Sequence, residues 1–290
     1  MNISRAWRWA APLLLGVMIV LSVHFSTTGE EYSISNRGWN GTSVFFDTVQ
    51  EKGGTLITDL LSLNEYEDSL LLIVAPPGMP GEDSFDAYRK FLEQGNTIFI
   101  ADESGASNVM LQGIGSSMRI VPENISSLDS AYESSFFPNG HPATTHPLLA
   151  EVEIVIFNRP AYVTKGDALL VSGLFSWEDL DGDGKMDAGE PSGTYAFLAR
   201  EEIGEGEVIV CSDPSLLINA MQGGDVPGEN RGFVDNLMGY RGTILVDSAA
   251  STATWDHAVL TGLRDAPLLQ AGLLALLLFA AAFLWRKKTC

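Results

Sequence analysis

The chain has 290 residues, with 37 acidic against 17 basic side chains and a formal charge of −20. That balance excludes a nucleic-acid-binding face, which needs clustered lysine and arginine. Two cysteines are too few for a fold built on disulfides.

The first predicted element is an apolar run, Trp9 to Phe25, preceded by Arg5 and Arg8. Its partner at the far end is Pro267 to Trp285, followed at once by Arg286, Lys287 and Lys288. Each run is close to the roughly 20 residues that span hydrocarbon. The positive charges lie outside both runs, so the positive-inside rule predicts cytoplasmic segments at 1–8 and 286–290 and an extracytoplasmic body over 26–266 at the cell membrane. A cleaved signal peptide is the competing reading of the first run, but Leu21 to Phe25 lacks a small-x-small cleavage site. All the acidic residues fall between Glu30 and Asp265. The body is therefore more acidic than the whole chain, as suits a surface turned away from anionic lipid.

Within the body, Tyr32 to Ile34 reads as a short strand, and Thr42 or Ser43 caps a helix to about Lys52 with Val44, Phe45 and Val49 inward. Thr55 to Ile57 is a second strand. Ser69 to Val74 (SLLLIV) is a continuous apolar run, the mark of a strand covered on both faces. Asp83 or Ser84 caps a helix to about Gln94, with Phe85, Tyr88, Phe91 and Leu92 on one face. Asn96 to Ala101 is the next buried strand, and Asp102 to Gly105 opens a helix through about Leu111. This alternation predicts an α/β sandwich on a parallel sheet. From about 119 to 193 the pattern turns β-rich. Thr194 to Arg200 and Glu207 to Cys211 read as an antiparallel pair, Asp213-Pro214-Ser215 starts a short helix, Asn230 to Met238 forms another, and Thr243 to Asp247 is the last strand.

The β-rich segment carries the sharpest motif, Asp179 to Glu190 (DLDGDGKMDAGE). Its spacing is that of a calcium loop. Asp179, Asp181, Asp183, Asp187 and Glu190 supply carboxylates, Lys185 supplies a backbone carbonyl, and Gly184 allows the sharp turn. Pro191 blocks an exit helix, so the loop is expected between strands, as a single structural site. An acidic solvated loop is the plainer alternative. Ligands of parallel sheets bind beyond the carboxyl ends of the strands, which nominates Asn36, Arg37, Trp39, Asp102, Ser104, Asp213 and Ser215. Structural roles compete at several positions: Trp39 packing on the following helix, Arg37 in a salt bridge, Ser104 as a helix cap, and Asp213, with Asn219, likewise as caps.

Asn36 to Thr42 (NRGWNGT), the strand–helix–strand from Leu70 to Glu103, the loop ending Gly189-Glu190-Pro191, and Gly206 to Ser215 (GEVIVCSDPS) follow in one order. As a set they resemble the membrane-anchored family called domain of unknown function 4350. The resemblance implies a flavodoxin-like sandwich related to class I glutamine amidotransferases, and partners among membrane assemblies such as MoxR-type ATPase systems. It supplies no activity. An amidotransferase places a cysteine nucleophile on the turn after a central strand. Here that turn is Ala101-Asp102-Glu103-Ser104, which has no cysteine, while Cys211 lies on a later strand and reads as a buried apolar residue. Ser104 is the only local nucleophile, with His257, His141 or His146 as possible bases at no diagnostic spacing. The expected role is that of a non-catalytic binding or assembly domain. A serine-type hydrolase and a structural cell-surface protein are the alternatives.

Overall fold

The computed structural model describes residues 31–248, apart from 35, 77, 79, 80, 82 and 83, together with the isolated positions 15 and 18. Helix α1 (Ser43–Glu51) leads into β1 (Thr55–Ile57), and a 3-10 segment, Leu60–Glu65, precedes β2 (Ser69–Val74). Then come α2 (Phe85–Glu93), β3 (Thr97–Ala101), α3 (Asn108–Gly113), β4 (Arg119–Val121), β5 (Ile125–Ser127) and β6 (Asn139–Pro142). Strands β7 (Val155–Ile156), β8 (Tyr162–Thr164), β9 (Asp167–Ser172), β10 (Ser176–Glu178), β11 (Ser192–Gly193), β12 (Ala196–Ile203) and β13 (Gly206–Cys211) follow. A 3-10 turn (Pro214–Leu217), α4 (Asn230–Met238) and β14 (Thr243–Asp247) complete the order.

Eleven strands form one mixed sheet, ordered β1-β14-β2-β3-β13-β12-β9-β6-β7, with β8 pairing β12 and β4 pairing β8. Strands β1, β14, β2, β3 and β13 are mutually parallel. From β12 onward each pairing is antiparallel. The 119–193 segment gives β4, β6, β7, β8 and β9 to this sheet. Its remaining strands make a second sheet, β11-β10-β5.

Side-chain alternation explains the layers. On one face Leu70, Leu72, Val74, Phe99, Ile209 and Val246 meet Phe45 and Val49 of α1 and Phe233 and Leu237 of α4. On the other, Leu71, Ile73, Ile98, Ile100, Val208 and Leu245 meet Phe85, Tyr88 and Phe91 of α2 and Met110 of α3. The central strands are buried at every position for this reason, as their unbroken apolar runs predict.

The expectations fail in four places. Tyr32 to Ile34 is a turn and not a strand: Ser33 O accepts from the N–H groups of Asn36 and Thr42, and Tyr32 has φ +57°. Val44 is exposed, because helical geometry rotates it about 100° from Phe45. Helix α3 starts at Asn108, later than expected, because Asp102 holds residues 104–107 in a non-helical turn. Thr42 does not cap α1 with its side chain either. Asn219 Oδ1 takes the Val44 N–H at 2.9 Å, and its amide donates to Asn36 O and Gly38 O. No helix among the described residues is long and apolar enough to cross a membrane. The runs at 9–25 and 267–285 lie outside the described residues, save positions 15 and 18. His257 and Asp83 lie outside them too.

Candidate functional site

Two places gather polar groups for which the packing of the fold alone does not account. The first is the carboxyl edge of β3 and β13. Asp102 follows β3 directly and is buried. Its Oδ1 accepts from Ser104 N (2.8 Å) and Ser104 Oγ (2.7 Å), and its Oδ2 accepts from Ser107 N (2.8 Å). Asp213, two residues past β13, is fully buried and accepts from Asn158 N and Ser215 N at 2.7 Å each. It caps the 3-10 turn that begins at Pro214. The two groups are joined by residues absent from the sequence-derived set. Tyr32 OH donates to Glu103 Oε1 at 3.1 Å and lies 3.2 Å from Ser215 Oγ.

Burial, reinforced by the nearby Asp213 charge, pushes the Glu103 carboxyl up to about 7, although the Tyr32 hydrogen bond pulls it back. Burial also raises Asp213, to about 6, against the pull of its N–H donors. Burial likewise drives Tyr32 upward, so its phenol stays protonated. The native state then keeps a proton on Glu103 that the unfolded chain has already lost. That contribution to stability is present below the ordinary carboxyl range and fades as pH rises through about 7. A Glu103→Gln variant keeps the acceptor for Tyr32 without the titration. It is expected to equal the parent near pH 4.5 and to exceed it above pH 7 by about 1–2 kcal/mol, discounted for partial exposure. Melts at the two pH values check this; a gap of equal size at both would sink it.

The other edge candidates do not converge. Asn36 is buried, with Nδ2 bonded to Asn40 Oδ1. Arg37 makes a surface pair with Asp47 at 3.7 Å. Trp39 is exposed rather than packed on α1. Ser104 Oγ donates to Asp102 and accepts from Ala106 N, and neither described histidine is among its partners. His141 pairs with Asp129 at 2.6 Å, and His146 with Tyr240 at 3.3 Å. Cys211 is fully buried, and its thiol is pushed far up by desolvation.

The second place is the Asp-rich loop. It connects β10 to β11, whose register pairs Trp177 with Ser192, so the motif closes a β-hairpin. Glu178 N bonds Pro191 O and fixes the base of the loop. Carboxylate oxygens of Asp179, Asp181 and Asp183 lie within 4.8 Å of one another. Asp179 is buried; its Oδ2 accepts from Ser126 Oγ and Gly184 N at 3.1 Å each, while its Oδ1 has no hydrogen-bond partner among the described residues. An orphaned buried carboxylate oxygen costs free energy unless something positive completes it. Gly184 has φ +73°, and a β-carbon there would press on Phe136 and Ser135. Glu190 accepts from Leu180 N and Asp187 N at 2.9 Å, drawing the end of the loop to its start. Asp183 instead takes the Lys185 ammonium at 2.9 Å, on the surface. The three clustered carboxylates offer oxygen donors only, the class a hard cation takes, and the Lys185 ammonium offers no ligand.

None of the curated proteins matches this chain. Among solved structures it is similar to the mmIFT52 N-terminal domain, at 14% identity and a TM-score of 0.44, over 59% of this chain and 75% of that one. A likeness at that score carries no argument. The family model matches residues 34–238, which include β1, β2, β3 and β13 of the parallel half and the acidic hairpin. The chain belongs to the family described as Domain of unknown function (DUF4350).

Proposed function

We propose that this chain is a non-catalytic, extracytoplasmic binding domain held at a membrane, with a structural calcium ion in the β10–β11 hairpin. The observation that carries the calcium reading is the buried, unpartnered Oδ1 of Asp179 beside Asp181 and Asp183. When bound, the ion would supply the positive charge that this oxygen lacks and would relieve repulsion among neighbouring carboxylates. Asp179, Asp181 and Asp183 would hold it, with Asp187, Glu190 and the Lys185 carbonyl completing the oxygen set by motif position. Lys185 and Gly184 act through the backbone.

The non-catalytic reading is supported by the way the turn after β3 uses its polar groups. Asp102 and Ser104 satisfy each other and the local backbone, and Cys211 is sealed in the core. The amidotransferase-like ancestry and the placement beside membrane assemblies, MoxR-type ATPase systems among them, rest on the family resemblance alone.

Calorimetric titration of the full chain in detergent with calcium tests the ion site. One saturable site is expected, with an affinity on the order of 10⁻⁴ to 10⁻³ M. Its heat should vanish in Asp181→Ala and in Glu190→Ala. No heat from the parent would reduce the hairpin to an acidic surface loop.

A further inference from the structure

Both ends of the described body leave from one edge of the sheet. The parallel strands β1, β14, β2, β3 and β13 all finish there. Ser248 follows β14 and donates its N–H to Ile57 O, at the end of β1, at 3.0 Å. Tyr32 sits on the same edge, since its hydroxyl reaches Glu103 past β3 and Ser215 past β13. The register carries this edge across the antiparallel half. Cys211 pairs with Leu198, and Ala196 pairs with Val171, so the carboxyl end of β9 lies on the same side.

The turn from β9 into β10 continues from that end. Leu174 is 81% exposed and Phe175 71% exposed, and Leu128, bonded through its N–H to Phe175 O, is 74% exposed. Two large exposed apolar side chains on one turn, with a third on the segment hydrogen-bonded to it, are more than scattered surface residues. Exposed Trp39 lies on the loop whose Asn40 O accepts from Tyr32 N, at the same edge.

Sequence length sets the distance to the bilayer. Residues 26–31 separate Phe25, the end of the first apolar run, from Tyr32 on this edge. Six residues reach at most about 20 Å. A short tether at this edge holds the edge, and not the opposite one, against the membrane surface. We propose that the Leu174-Phe175 turn, with Leu128 beside it, is a lipid-contact tip seated in the interfacial layer of the bilayer that carries the chain. This rests on the reading of residues 9–25 as a membrane span. The occupant is lipid rather than a protein partner, because the tether brings bilayer to this edge without any further component. The tip itself bears no basic residue, so contact is apolar and does not call for anionic headgroups.

The test uses the full chain reconstituted in phosphatidylcholine vesicles, in a Cys290→Ser background where Cys211 is shielded in the core. An environment-sensitive fluorophore is placed through Leu174→Cys, Phe175→Cys, or Glu205→Cys, the last on the β12–β13 turn at the opposite edge. All three sites are exposed, so labelling leaves the core intact. Expected are a blue shift and quenching by spin-labelled phosphatidylcholine at 174 and 175, with neither at 205. An alkaline carbonate wash of the same vesicles reads anchoring separately. Retention with water-exposed probes at 174 and 175 overturns the tip and leaves the anchor standing. Release by carbonate overturns the span and the tip together. A blue shift without lipid quenching assigns the turn to protein contact, and quenching at all three sites removes the edge-specific orientation; either overturns the proposal.

Discussion

Glu207→Ala lowers the stability of the domain by about 3–5 kcal/mol, as expected for breaking a buried ion pair from one side. Glu207 is the second residue of β13, beside Thr97 of β3, and is 5% exposed. Its carboxylate gathers Arg200 at 3.2 Å, Arg241 at 3.4 Å, the Tyr240 hydroxyl at 2.6 Å and Thr97 Oγ1 at 3.3 Å. Arg241 also donates from Nε to Thr97 Oγ1 at 2.8 Å. Removing the carboxylate leaves two half-buried guanidinium groups and a phenol facing one another without their shared acceptor. The neighbouring Gly206 is closely packed, since a β-carbon there would sit 2.3 Å from Asn96 O. Glu207→Gln keeps an acceptor for Tyr240 but loses the charge, so its loss should fall between parent and alanine. Urea unfolding of the three proteins checks the order. A loss below about 1 kcal/mol in the alanine variant would mean the cluster behaves as an ordinary surface network.

Calcium at about 10 mM should raise the melting temperature of the full chain by about 3–10 °C. With an affinity on the order of 10⁻⁴ to 10⁻³ M, mass action gives about 1.4–2.7 kcal/mol. A domain of this size converts each kcal/mol into about 2–4 °C. The gain arises because the folded hairpin holds Asp179, Asp181 and Asp183 together and the unfolded chain does not. Magnesium at the same concentration should do less, since it demands a tighter octahedron and sheds water reluctantly. Asp181 is exposed, so Asp181→Ala removes a ligand without disturbing the core. Scanning calorimetry of parent and variant in calcium and in chelator decides the matter. An equal rise in the variant would place the ion elsewhere.

What could be read from the sequence divides by range. Strands β2, β3 and β13 announce themselves because both faces of each are covered, which leaves no polar position to interrupt the run. Helix α2 shows its inner face through Phe85, Tyr88, Phe91 and Leu92, all buried as spaced. The acidic hairpin is legible because its chemistry lies within twelve consecutive residues and depends only on local turns. Tyr32 and Glu103 are the opposite case. They meet across 71 positions, and neither residue has a local signature that marks the contact. The apparent strand at 32–34 misleads for a related reason. Tyr and Ile favour a pleated chain, but among the described residues no strand pairs with this segment, and the backbone turns back on Ser33 O instead. Asn219 illustrates how a cap can come from far away. Its side chain closes the first turn of α1 from 175 positions downstream, a job that the local sequence assigns to Thr42.

The long sheet ends in very short strands. Its path terminates in β1 with three residues and β7 with two, and the side branch terminates in β4 with three. Each open margin therefore offers only a few unpaired N–H and C=O groups, too few to template a second chain. Domains crowded side by side can then touch through side chains without zipping backbone to backbone. An eleven-stranded sheet with full-length margins would lack that protection against fibre growth.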